Sequence, residues 1–139
     1  MFGALDISTS ALVAQRTNLN TIAGNIAGSQ TTRDAKGNPN PYRRRVALMA
    51  PGNPASGPNA PGVHVAAVVN DPSPFKLVHK PSHPDAIKSG PDAGYVRMPN
   101  VDYSVELINA MEATRIYEAN VTVIEATKGL ASSALRLLS

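Results

Sequence analysis

All twelve prolines of this 139-residue chain lie between Pro39 and Pro99, leaving 38 residues before them and 40 after in which proline does not forbid a helix. Each end carries apolar residues at helical spacing, and a helix cannot leave such a stripe facing water without a partner. The partition predicts an α+β chain in three parts: a helix within 1–32, a small proline-rich β region over 33–99, and a second helix within 100–139. It also predicts that the two helices pair with each other as a coiled coil.

At the N-terminal end, Leu5, Leu12, Leu19 and Ile26 follow at steps of seven, with Ile22 on the same side, a seam of about six turns. Thr17, Asn18, Asn20, Thr21 and Asn25 on the other faces are mediocre helix formers, which makes this helix marginal alone. Gly28 reads as its stop. At the C-terminal end, Asn100 or Asp102 is placed to cap, and Glu106 puts negative charge near the positive end of the dipole. The stripe there runs through Leu107, Ile108, Met111, Ile116, Tyr117, Val121, Val123, Ile124, Leu130, Ala131, Ala134, Leu135 and Leu138. Glu112 with Arg115, Arg115 with Glu118, and Glu125 with Lys128 are spaced to pair on the outer faces. In the middle, strands are predicted at 42–50, 63–69, 75–79 and 94–98, with 51–61 as a loop that holds no regular structure.

Composition excludes several function classes. Cysteine and tryptophan are absent and only four Tyr and two Phe occur, which removes disulfides, thiolate metal sites and a ready aromatic stacking platform. No apolar run approaches the roughly 20 residues that span a bilayer. Residues 1–10 hold an acidic Asp6, no Lys or Arg and no continuous apolar core, so they do not read as a cleavable secretory signal.

The net charge of +3 is uneven: 33–99 hold nine basic and four acidic side chains, whereas 100–139 hold three basic and five acidic. The densest basic point is Arg43, Arg44 and Arg45, which suggests a soluble binding or adaptor module, even one that contacts nucleic-acid phosphates. Alternation of side chains in an extended segment would spread the three over two faces and works against a single patch. A third reading, a metal-dependent enzyme, rests on His79, His83 and Asp85. Pro81 and Pro84 forbid the helix that would align the two histidines, so a loop role is the better account. Ser8 and Ser10 have no histidine near them in sequence, and Gly52, Gly57 and Gly62 sit among prolines rather than before a helix. No catalytic residue, cofactor or metal is called for.

The segment 19–27 (LNTIAGNIA) followed by Thr31-Thr32 resembles the N-terminal signature of the bacterial flagellar axial proteins. The middle is similar to the rod members of that family at Asp71-Pro72-Ser73-Pro74-Phe75, at Pro81 with His83-Pro84-Asp85-Ala86, and across 94–101 (GYVRMPNV). The C-terminal run is similar at Glu106-Leu107-Ile108 and across 115–121 (RIYEANV). Departures fall at Gly28-Ser29-Gln30 and in the glycine- and proline-rich loop 51–61. The resemblance implies a non-catalytic structural subunit. It would be exported by the flagellar type III system without a cleaved signal peptide and would assemble helically into the proximal rod of the basal body. That rod crosses the periplasm and transmits torque for motility. Implied partners are copies of itself, the rod proteins FlgB, FlgF and FlgG, and FliE at the inner-membrane ring. Neither nucleic acid nor direct membrane insertion is implied. The expected assembly interface is Leu5, Leu12, Leu19, Ile22 and Ile26 with Tyr117, Val121, Ile124, Leu135 and Leu138.

Overall fold

The computed structural model describes residues 2–57 and 60–138 of the chain, and the side chains of Phe2 and Leu138 lie outside what it describes. Its elements are α1 (Phe2–Gly28), β1 (Arg45–Pro51), β2 (Val63–Asn70), β3 (Lys76–His79), β4 (Tyr95–Met98) and α2 (Tyr103–Leu138). Both helices occupy the proline-free ends. Of the two candidate caps for α2, Asp102 does the work: its Oδ1 accepts from the amides of Ser104 at 3.0 Å and Val105 at 3.3 Å, while Asn100 turns elsewhere. α1 stops at Gly28 as expected, but not through a left-handed turn. A Cβ there would stand 2.6 to 2.8 Å from three ring carbons of Tyr42, so the glycine permits a close approach.

The strands form two separate antiparallel hairpins, β1 with β2 and β3 with β4. β1 begins three residues later than predicted, because Tyr42, Arg43 and Arg44 are spent on other contacts. It extends to Pro51, opposite Val63, where a strand end needs no amide donor. The register of β1 and β2 slips between Leu48 and Met49, leaving Ala66 as the extra residue. The bulge breaks the predicted alternation, and Val68 rather than Val69 joins Val63 and Val65 in the groove facing α1.

Ser10 fastens this hairpin to α1: its Oγ accepts from the Val63 amide at 3.0 Å and donates to the Ile7 carbonyl at 2.7 Å. Gly62, at a φ of +147°, lies so close to Ser10 that any side chain would collide with it.

α1 and α2 run antiparallel in the most extensive contact between elements. Asn25 meets Glu106, and ten residues earlier Gln15 shares a groove with Ile116. α1 is therefore covered on two sides, by α2 and by the β1–β2 hairpin. That corrects the expectation of a simple leucine seam: the buried α1 positions are Ser8, Ser10, Ala14, Gln15, Thr21, Ile22, Asn25 and Gly28, while Leu5, Leu12, Leu19 and Ile26 are half-buried. Nor do the three expected pairs on α2 close as ion pairs among the described residues, in keeping with the small worth of such exposed contacts. The apolar core is small, built on Ala14, Ile22, Val96, Pro99, Val101 and Ala113.

Candidate functional site

The most heavily bonded place in the molecule is where the C-terminal end of α1 meets the N-terminal end of α2. Asn25, 1% exposed, uses both ends of its amide. Nδ2 donates to the Arg45 carbonyl at 2.8 Å and to Glu106 Oε2 at 3.0 Å. Oδ1 accepts from the Arg45 amide at 2.8 Å and the Tyr42 hydroxyl at 3.0 Å. The two contacts with the Arg45 backbone continue β1 onto a side chain of α1.

Glu106, completely buried, receives Arg44 Nε on its other oxygen at 2.7 Å. Arg44 Nη1 reaches Asp71 Oδ2 at 3.1 Å, and the Arg44 amide donates to Asn100 Oδ1 at 2.8 Å. Asn100 Nδ2 and Arg43 Nη1 both donate to the carbonyls of Asp71 and Ser73. Every buried side-chain nitrogen and oxygen among the described residues has a partner, which is what makes an ionic cluster in an interior tolerable.

A second junction ties the turn after α1 to the 81–86 segment. Asp85 accepts from Thr32 Oγ1 at 2.8 Å and from Arg33 Nε at 2.8 Å, and the His83 ring nitrogen accepts the Asp85 amide at 3.1 Å. His79 instead packs edge-on against Tyr95, with ring centroids 5.0 Å apart. Among the described residues no three His, Asp or Glu side chains gather as a metal site.

The arginine run is likewise engaged within the chain, although Arg45 stays exposed. Arg43 lies 4.3 Å over the Phe75 ring, Arg44 is held by two carboxylates, and Arg45 Nε donates to the Tyr42 hydroxyl at 3.2 Å. Sequence reasoning assigned Glu106 to the helix dipole and missed this role. The available signal was its position seven residues before Ala113, on the face α2 turns toward α1.

The carboxylates of these junctions make the fold acid-sensitive. Asp71 is lowered to about 2 by the Ser73 hydroxyl and amide, with Arg44 adding to the effect. Asp85 is lowered by Arg33 and Thr32, and Asp102 by the Val105 amide it caps and by Lys76. A depressed folded-state pKa stabilises the fold above the unfolded value near 3.8, and this contribution disappears as pH falls toward 2. Urea midpoints should therefore be flat from pH 7 to 5 and fall between about pH 4 and 2. Asp71→Asn should lower the plateau and make that fall shallower; an unchanged acid limb would show that Asp71 is not held this way.

Of the residues expected at an assembly interface, Ile22 is buried inside the chain, and Leu5, Leu12, Leu19, Ile26, Tyr117, Val121 and Ile124 are half-buried. Leu135 is 70% exposed, and the side chain of Leu138 lies outside the described residues. Large apolar side chains not singled out for that interface stand in water on the outer side of α2: Leu107, Ile108, Met111, Val123, Leu130 and Leu137. No described helix is long and apolar enough to cross a membrane.

The family model described as the flagellar basal body rod FlgEFG protein C-terminal region matches residues 92–137, covering β4 and nearly all of α2. The flagellar basal-body rod protein FlgC of Borreliella burgdorferi is 40% identical over 150 residues, spanning 99% of this chain and 97% of its own. That of Bacillus subtilis is 39% identical over 149 residues, and that of Escherichia coli O157:H7 39% over 138, again with nearly full coverage of both chains.

The chain belongs to the FlgC family of flagellar basal-body rod proteins. It is a structural subunit of the rod, not an enzyme. The segments that carry the sequence resemblance to rod proteins are the ones that meet in space: Asn25, Asp71, Asn100 and Glu106 come from four of them and share one network. Thr32, from the N-terminal signature, ties in a fifth through Asp85. The motifs of this FlgC-family chain thus hold its terminal helices and its middle segment to one another.

Proposed function

We propose that the chain builds the proximal rod by packing its two terminal helices against those of neighbouring copies as a coiled-coil-like inner wall, with the two β hairpins facing outward. The observation that carries this is the run of uncovered apolar side chains along α2, from Leu107 and Ile108 through Met111 and Val123 to Leu130, Leu135 and Leu137, on a protein whose own apolar core is small. A contact between different patches, repeated head to tail without closing, generates a helical filament able to carry torque. Helices that are marginal alone pass more readily through the type III export channel into the periplasm and become ordered as neighbours cover them. The neighbours in this reading are further copies, the related rod subunits FlgB, FlgF and FlgG, and FliE at the base. Leu5, Leu12, Leu19, Ile26, Tyr117, Val121 and Ile124, half-covered within one chain, complete their burial against them.

The test uses a position whose change leaves the monomer fold intact. Leu135→Asp should leave the thermal transition of the purified chain within about 0.5 kcal/mol of the parent, as expected for a surface site. In cells it should abolish motility and leave the subunit out of isolated basal bodies. Normal motility with Leu135→Asp incorporated would overturn the reading.

A further inference from the structure

The two helices do not end together. With Asn25 level with Glu106 and Gln15 level with Ile116, the first residue of α1 falls opposite about residue 129 of α2. α2 continues to Leu138, so about nine residues, roughly 13 Å, extend past anything α1 can cover. Along this overhang Ala131 and Leu135 share a face with Lys128 and continue the stripe of Tyr117, Val121 and Ile124 that packs within the chain. Leu130, Leu135 and Leu137 are 67%, 70% and 87% exposed there.

The same molecule carries an apolar groove of about 730 Å³ between the first half of α1 and the β1–β2 hairpin. Val13, Ala14, Val65 and Val68 form its walls, and it runs from Asp6 to Thr17, about 17 Å of helix. Val13 and Val68 are 55% and 44% exposed on its flanks. Among the described residues Asp6 is the only acidic or basic lining residue apart from His64, whereas Lys128 at the root of the overhang and Arg136 within it are both basic.

We infer that the α2 overhang of one copy seats in the α1–hairpin groove of a second copy, with Leu135 against Val13 and Val68 and the basic side chains toward Asp6. Length, apolar character and charge match, and the surfaces are different patches of one chain, so the contact is head to tail and can be repeated from copy to copy. This rests on the proposed assembly by terminal helices and says which surface receives which.

The chain has no cysteine, so engineered pairs report the contact cleanly. Within one molecule Val13 lies level with about residue 118, some 25 Å along α2 from Leu135, too far for an internal disulfide. Val13→Cys and Leu135→Cys occupy exposed sites, and circular dichroism is the check that each variant folds. Oxidised basal bodies containing both single variants should give a covalent dimer absent from either variant alone. A chain carrying both substitutions should give a ladder of multimers.

Several results would overturn the groove assignment while leaving rod assembly standing. One is basal bodies that contain the variants but show no such bridge; another is bridging of Leu135→Cys to a control cysteine at exposed Ala23; a third is bridging to a different rod protein instead of a second copy. Failure of assembly by the terminal helices is read separately, from normal incorporation of Leu135→Asp.

Discussion

Glu106→Ala is expected to destabilise the chain by about 3 kcal/mol, a large share of what holds a domain of this size together. The substitution does not merely delete contacts. It leaves Arg44 and the Asn25 amide facing a space that water reaches poorly, and a buried donor or charge without its partner loses its full solvation. The lower end of the usual range applies because Arg44 retains Asp71, and its side chain is 23% exposed. Glu106→Gln should fall between parent and alanine, since Arg44 and Asn25 use different oxygens of Glu106 and one of those positions becomes an NH2 that faces a donor. Urea unfolding followed by circular dichroism measures all three. In a double-mutant cycle with Arg44→Ala, the two losses should fall short of adding by about 1 to 2 kcal/mol. A Glu106→Ala loss below about 0.5 kcal/mol would mean that the junction does not hold the helices together.

Gly28→Ala is expected to run against helix propensity. At a helix position, exchanging glycine for alanine ordinarily stabilises by about 1 kcal/mol. Here the new methyl meets the Tyr42 ring at 2.6 to 2.8 Å, and the ring cannot retreat without withdrawing its hydroxyl from Asn25 and Arg45. Overpacking of this kind costs about 1 to 3 kcal/mol, so a net loss of about 1 to 2 is expected. The decisive comparison is the background Tyr42→Ala, where the ring is gone and Gly28→Ala should become stabilising. If the sign is the same in both backgrounds, the glycine is not there to admit the ring.

These two positions show how far the residues could be read. Gly28 was legible as a helix end, because a glycine followed by the polar run Ser29 to Thr32 disfavours another helical turn; that its purpose is to admit Tyr42 was not legible, since the ring arrives from fourteen residues away. Glu106 was legible as a helix-start acid and not as the centre of a network, because its partners Asn25 and Arg44 lie 81 and 62 residues distant in the chain. Leu12 and Leu19 were expected at the heart of a helix seam and are only half-covered, while Thr21 and Asn25 beside them are buried. The periodicity was read correctly as helix. What it could not reveal was that the β1–β2 hairpin would cover a second face of α1 and supply hydrogen-bonding groups that polar residues suit better than leucine.

By itself the sequence determined where helices and strands could form, through proline, spacing and capping, and its ordered motifs pointed to the rod proteins. Those are local or statistical constraints that need no knowledge of what touches what. The tertiary structure alone decided that the separate motifs form one network around Glu106, that Arg43 and Arg44 are tied to groups within the chain, and that α2 outruns α1. Each depends on the antiparallel register of the two helices, which a sum of long-range contacts sets and no single segment encodes.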